Sequence, residues 1–288
     1  MKKKLLFLIT ILVLSITVTG CKQDDMEDIE IAVTNYPNEY IIDKLYGEHS
    51  TINRVYPDDV DISTYKVTKK QKENFSKMEL FIYTGLVEQE RVLAVSLLAL
   101  NNDLKIIDTS YVLETDYSNE ELWLNPNSLL MMAQNVRLGL KEYVTSTYLS
   151  KDIDKQYNKL KVELSELDAS YRVAVENTEE KNIIVQNRSL KFLEKFGLNV
   201  YVLDSETTDK ELAEISNLIN NTSTDYIFKY KKEENNKICD EFIKNHPNAK
   251  TLELNRLDNI TDQDRDDGKD YITLMNENLD ILKQELYQ

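Results

Sequence analysis

The chain is poor in the residues that most often build metal and redox sites. It has two cysteines, two histidines and one tryptophan in 288 residues. Two cysteines exclude a disulfide framework and any zinc site made of several thiolates. Six glycines and four prolines leave little room for long flexible linkers. No glycine-rich phosphate loop and no nucleophile motif occurs, so catalysis has no visible machinery. Positive charge is scarce too: 35 Lys and Arg stand against 51 Asp and Glu, a formal net charge of −16. A surface this acidic repels nucleic acid and anionic lipid and draws cations toward clefts, although the same balance also serves solubility.

What is present begins with a targeting segment. MKKK is a basic start and Leu5 to Val18 an apolar run of signal-peptide length, shorter than the roughly 20 residues of a membrane-spanning helix. It ends in Val18-Thr19-Gly20-Cys21, which resembles a bacterial lipobox. The expectation is cleavage after residue 20, with a diacylglycerol on the Cys21 sulfur anchoring the chain to the membrane. Cleavage would remove Lys2, Lys3 and Lys4, leaving the mature chain three charges more negative than −16. The acidic stretch over 21–28 reads as a tether. Cys239 then has no partner; in NNKICDEFIKNH it shares a helical face with Ile238 and Phe242 and reads as a buried thiol.

From residue 29 onward strands and helices alternate. Strands are expected at 29–34, 51–55, 80–83 and 105–108, with helices at 38–46, 67–77, 87–100 and 128–143. From Asp152 to Val175 the apolar positions Ile153, Tyr157, Leu160, Leu164, Leu167, Tyr171 and Val175 fall three and four apart, the spacing of one long amphipathic helix. Alternation then resumes, with strands at 182–185, 200–203, 226–228 and 250–254 and helices at 190–196, 211–220, 233–245 and 271–287. Strands separated by helices give parallel sheets with crossovers. The expected fold class is therefore α/β: an N-terminal lobe over 29–150, a rigid linking helix over 151–177 and a C-terminal lobe over 178–288, each lobe a mostly parallel sheet with flanking helices. The cleft between lobes is the natural ligand site.

Four short motifs in this order, YPNEYIIDKLYGE (36–48), LFIYTGL (80–86), LWLNP (122–126) and GKDYITLMNENLDILKQEL (268–286), resemble the solute-binding lipoproteins of bacterial zinc and manganese ABC transporters. The resemblance covers nearly all of the chain beyond the signal segment. It implies an extracytoplasmic monomer, held at the membrane by its lipid, that delivers cargo to an ABC permease; it implies no enzyme activity and no nucleic-acid partner. The family holds its metal with three histidines and one carboxylate, two ligands from each lobe. In this chain the matching positions are Ser63 in VDISTY, Glu121 two residues before Trp123, Gln186 in NIIVQNRS, and Asp258 in LELNRLDNIT. The family's histidine-rich loop has no counterpart. The two histidines that remain, His49 in GEHST and His246 in KNHPN, read as surface loop residues away from these positions.

Ser, Glu, Gln and Asp offer only oxygen, whereas Zn²⁺ favours nitrogen and sulfur donors. The set suits a hard divalent cation such as Mn²⁺, Mg²⁺ or Ca²⁺, and weakly. Without a metal, Glu121 and Asp258 are expected to face each other across the cleft, which would raise at least one carboxyl pKa. Arg188 is a candidate to relieve that repulsion through an internal salt bridge. Three outcomes stay open at this level: a metal-free pocket, a hard-cation site, or a site for an organic ligand whose amine meets Glu121 and Asp258 with Tyr36 and Tyr65 nearby. A repurposed surface lipoprotein acting in adhesion or assembly is the alternative outside uptake.

Overall fold

The computed structural model describes residues 26–221 and 224–287; the signal segment, Cys21 and most of the tether lie outside them. The chain runs β1 (Ile29–Val33), α1 (Tyr36–Tyr46), a 3₁₀ turn (Gly47–His49), β2 (Ser50–Arg54), α2 (Lys69–Phe75), β3 (Leu80–Tyr83), α3 (Glu88–Leu98), β4 (Lys105–Asp108), α4 (Glu121–Leu124), α5 (Pro126–Tyr143) and α6 (Thr147–Glu176). It continues with β5 (Asn182–Val185), a 3₁₀ run (Arg188–Phe196), β6 (Asn199–Val202), α7 (Asp209–Asn220), β7 (Tyr226–Tyr230), α8 (Lys237–Asn245), β8 (Lys250–Leu254), α9 (Asp262–Asp266) and α10 (Tyr271–Leu286). All pairings are parallel, in the order β2-β1-β3-β4 in the first sheet and β6-β5-β7-β8 in the second. The expected two-lobed α/β class is what the chain adopts.

Helix ends follow local chemistry. Asn35 accepts from Asn38 N to start α1, with Pro37 in its first turn. Ser146 accepts from Leu149 N, which starts α6 at Thr147, ahead of the first residue of its apolar stripe. Gly197 closes the 3₁₀ run with φ 99°, a left-handed conformation that glycine adopts freely. Gly139 on α5 lies so near β4 that an added Cβ would stand 2.7 Å from the Ile107 side chain.

The linking helix does more than connect. At 30 residues it is about 45 Å long. Its residues Ile153, Leu160, Leu164, Leu167, Tyr171 and Val175 are buried in one core that takes in β1, α1 and α5 of the first lobe and β5 and α10 of the second. Two smaller cores lie apart from it, one around Phe81, Leu93 and Leu97, the other around Ile184, Ile215 and Phe242 with Cys239 fully buried. Burial pushes the Cys239 thiol up to about 11. Each large side chain of the shared core contributes about 2 kcal/mol, so separating the lobes would expose a cost that a hinge does not carry. Among the described residues no helix is long and apolar enough to cross a membrane.

Two expectations are corrected here. The end of the expected tether is docked rather than free: Met26 is fully buried, the Tyr46 hydroxyl donates to its carbonyl at 2.5 Å, and Asp28 N donates to His49 O. His49 is not a surface loop residue. It is 9 % exposed, its Nε2 lies 3.3 Å from Asp152 Oδ2 on α6, and it packs against the Tyr46 and Tyr148 rings. His246 ends α8, half-buried, its ring stacked on Phe242 and its Nδ1 3.0 Å from the Phe242 carbonyl.

Candidate ligand cleft

The carboxyl ends of both sheets meet at the lobe junction, where loops of the two lobes bond to each other. Tyr36 N donates to Asp258 O, Asp59 N to Ile260 O, and Asn259 Nδ2 to the carbonyls of Pro57 and Val60. Five ion pairs at this junction share one polarity, while Lys44 on α1 pairs in the opposite sense with Asp270 at 3.5 Å. Arg265 forks onto Glu39 (2.9 and 3.0 Å) and Asp58 (2.7 and 3.0 Å), Lys232 lies 2.5 Å from Asp59, Arg256 2.7 Å from Glu120, and Lys195 2.9 Å from Glu121. Every cation in this set comes from the second lobe and every carboxylate from the first.

Glu121 opens α4 and is 1 % exposed. Its Oε1 accepts from the backbone N of Tyr117 and of Ser118, and its Oε2 from Lys195. Lys195 is also 3.3 Å from Asp116; burial would lower its ammonium, but the Glu121 and Asp116 carboxylates outweigh that and raise it. Trp123 is buried against the junction, its Nε1 donating to Arg256 O and its carbonyl accepting from the Tyr271 hydroxyl. Gln186, 4 % exposed, spends its amide on the turn before α8: Nε2 donates to Glu234 O and Oε1 accepts from Asn236 N. Ser63 is exposed and donates to Asp61 Oδ1 at 2.6 Å. Asp258 is partly buried; Oδ1 accepts from Asn259 N and Oδ2 lies 3.6 Å from Arg256 Nε. Burial holds its carboxyl above the ordinary range against the lowering effect of Arg256.

Of the four positions, Ser63 and Asp258 wall one cavity; Glu121 and Gln186 do not. Glu121 and Asp258 are therefore not the facing pair expected: Glu121 is closed onto Lys195 outside the cavity, whereas Asp258 stands in its wall 3.6 Å from Arg256. Arg188 is turned to neither: it forks onto Asp204 at 3.0 Å and reaches Glu206 at 3.2 Å. Tyr36 adjoins Asp258 through its backbone, and burial pushes its hydroxyl far up. Tyr65 lines an adjoining groove on the first lobe that shares Ser63 with the cavity, and its hydroxyl accepts from Gln71. Sequence reasoning missed Lys195, Arg256 and Arg265, because nothing in their local sequence marks them as crossing the junction. Among the described residues no group of three or more His, Cys, Asp and Glu side chains is placed to hold a metal ion.

Two parallel-sheet lobes meeting over one cleft and sharing a spanning helix define the class, a two-lobed solute-binding protein. The sequence profile of the family described as "Zinc-uptake complex component A periplasmic" matches residues 31–285, and the chain belongs to this family. It is 22 % identical to the high-affinity zinc uptake system protein ZnuA of Bacillus subtilis, over 93 % of this chain and 90 % of that one. It is 20 % identical to the zinc-binding lipoprotein AdcA of Streptococcus pneumoniae, spanning 99 % of this chain but 61 % of AdcA. The crystal structure of the metal-dependent lipoprotein YcdH from Bacillus subtilis superposes with a TM-score of 0.74 at 20 % identity, covering 91 % of this chain and all of that one. Members of the family are extracytoplasmic solute-binding components of zinc-uptake ABC transporters, not enzymes.

Proposed function

We propose that this chain is a lipid-anchored member of the family, held at the outer face of the cytoplasmic membrane through Cys21, whose cleft does not take up zinc tightly. The observation that carries this reading is that each aligned ligand position already has a partner or a neighbouring cation within the protein. Glu121 is neutralised by Lys195, Asp258 lies beside Arg256, Gln186 is spent on the α8 turn, and Ser63 is bonded to Asp61. A divalent cation would have to displace a lysine from a buried carboxylate and sit beside a guanidinium, with oxygen donors only. That chemistry is unfavourable for Zn²⁺ and poor even for Mn²⁺. Cargo of another kind, delivered to an ABC permease, fits the retained frame.

Calorimetric titration of the delipidated mature chain with Zn²⁺ and with Mn²⁺, together with metal analysis of the protein as purified, tests the reading. The expected result is no stoichiometric zinc and no submicromolar binding of either ion. A stoichiometric zinc of submicromolar affinity would sink it.

A further inference from the structure

The cavity shared by Ser63 and Asp258 has a volume of about 390 Å³. That lies within the range of small-molecule sites and far exceeds what one ion fills. Both lobes wall it: Asp61 and Ser63 from the first, Tyr230, Lys231, Arg256 and Asp258 from the second. The described non-glycine residues with left-handed backbone are Asp28, Asp59, Val112, Lys232 and Leu257, and three of them, Asp59, Lys232 and Leu257, stand in this wall. Backbone strain of this kind concentrates where a fold fixes a binding surface. Leu257 is the most telling, a buried leucine at φ 63° between Arg256 and Asp258, whose charged groups lie 3.6 Å apart.

The charges in the wall sort into spent and unspent. Asp59 is closed onto Lys232 at 2.5 Å and Asp264 onto Lys269 at 3.0 Å, Glu233 accepts from Asn187 and from Tyr230 N, and Lys231 faces Glu277 at 3.9 Å. Arg256 gives Nη2 to Glu120, which fixes the guanidinium, while Nη1 has no hydrogen-bond partner among the described residues. Asp258 Oδ2 has only Arg256 Nε, at 3.6 Å. Asp61 is exposed at the rim and accepts from Ser63 N and Oγ and from the Thr64 side chain, and a carboxylate holds further acceptor capacity beyond these bonds. A lone anion entering here would meet Asp61 and Asp258, and a lone cation would meet Arg256. A ligand bearing both charges a few ångströms apart satisfies all three. The free Nη1 of Arg256 matches a carboxylate oxygen, and Asp258 and Asp61 match an ammonium. Leu257 and Leu274 complete the wall with apolar surface for an aliphatic portion.

We propose that the junction cavity is a binding site for a small zwitterionic solute of the α-amino-acid class, its carboxylate on Arg256 and its amine on Asp258 and Asp61. This rests on the reading of the chain as a solute-binding component and names its cargo class.

The test is calorimetric titration of the full delipidated mature chain with the individual proteinogenic L-α-amino acids at millimolar concentration. Each is compared with its decarboxylated amine and with its deaminated acid. At least one amino acid is expected to bind with one-to-one stoichiometry, and both half-ligands to bind at least about tenfold more weakly, the size of one lost charge-assisted pair. Asp258→Asn, which is isosteric and leaves the Arg256–Glu120 pair intact, and Arg256→Met are each expected to weaken binding by about tenfold or more, while Asp204→Asn leaves it unchanged. The Asp258 variant keeps the test valid if loss of Arg256 impairs folding. No binding by any amino acid, equal binding by either half-ligand alone, or undiminished binding in Asp258→Asn would overturn the proposal. Zinc titration of the same protein separates the two readings: tight zinc with intact amino-acid binding removes only the zinc-poor reading, whereas neither ligand binding removes only this one.

Discussion

The two lobes use the same device at the end of their first strand, set at two depths. Beyond β1, Asn35 caps α1 with its side-chain oxygen and donates its amide to Glu90 at 2.9 Å; beyond β5, Asn187 caps the 3₁₀ run and donates its amide to Glu233 at 3.0 Å. Each carboxylate then accepts from a backbone N at the end of the third strand of its sheet, Thr84 N to Glu90 and Tyr230 N to Glu233. With the matching strand orders, this makes the lobes two versions of one βαβ plan. The difference lies in burial. Glu90 is 1 % exposed and also holds the Thr34 hydroxyl, whereas Glu233 sits half-buried in a loop that walls the cavity. One lobe has sunk the carboxylate into its frame, and the other has left it at the cleft edge.

Removing the two carboxylates should therefore not cost the same. Glu90→Ala strands the Thr34 hydroxyl, the Asn35 amide and Thr84 N in a closed interior and is expected to cost about 3 kcal/mol or more. Glu233→Ala leaves groups that water can reach and should cost about 1 kcal/mol. Urea unfolding at neutral pH measures both; equal losses would break the comparison.

Burial has a second consequence, visible in pH. Burial pushes the Glu90 carboxyl up to about 7 although Thr34, Thr84 and Asn35 donate to it, and burial likewise pushes up Glu285, which accepts from Asp225 N and Tyr226 N in the second lobe, to about 7. An acid whose folded pKa exceeds its unfolded value of 4.5 retains a proton that the unfolded chain has lost. Its contribution is therefore fully present below about pH 4.5 and fades as pH rises through 7, by about 3 kcal/mol in all for a group so fully enclosed. Unfolding free energy should fall over this window, and the fall should be shallower in Glu90→Gln. An unchanged slope in that variant would place the titration elsewhere.

Much of this frame is legible in the sequence, because apolar periodicity reports one face at a time. β3, β4, β5 and β8 match their expected limits to the residue, β3 and β5 as short apolar runs and β4 and β8 as shorter apolar or alternating stretches bounded by polar residues. The single turns α4 and α9 carry too few residues to show a period and escaped notice. α8 begins at Lys237 rather than Glu233 because Asn236 caps it and Lys232 bends left-handed just before. His49 looked exposed because the ring partner Tyr148 and the acid Asp152 that bury it lie some hundred residues away. The cleft was the hardest part to read. A motif can locate Glu121 and Gln186 along the chain, but which way a side chain turns depends on partners such as Lys195, 74 residues from Glu121, or Asn236, 50 from Gln186. No local pattern encodes an encounter at that range.

The smallest predicted effects separate a pair that joins the lobes from a pair that merely decorates one. Lys195 and Glu121 meet with the carboxylate only 2 % exposed, so Lys195→Ala leaves a buried negative charge with two backbone N–H donors and no cation. Stripping the cation from a carboxylate this enclosed is expected to cost about 2 kcal/mol, and the double change with Glu121→Gln should recover most of it. Arg188 forks onto Asp204 with equally good distances, and it is about as exposed as Lys195 (41 % against 36 %), yet its carboxylate partner is 21 % exposed where Glu121 is 2 %. Solvent screening leaves such a pair under about 1 kcal/mol. Urea unfolding of the two single variants should therefore rank Lys195→Ala well below Arg188→Ala in stability. A reversed order would mean that the cations across the cleft are passive and that the shared core alone holds the lobes together.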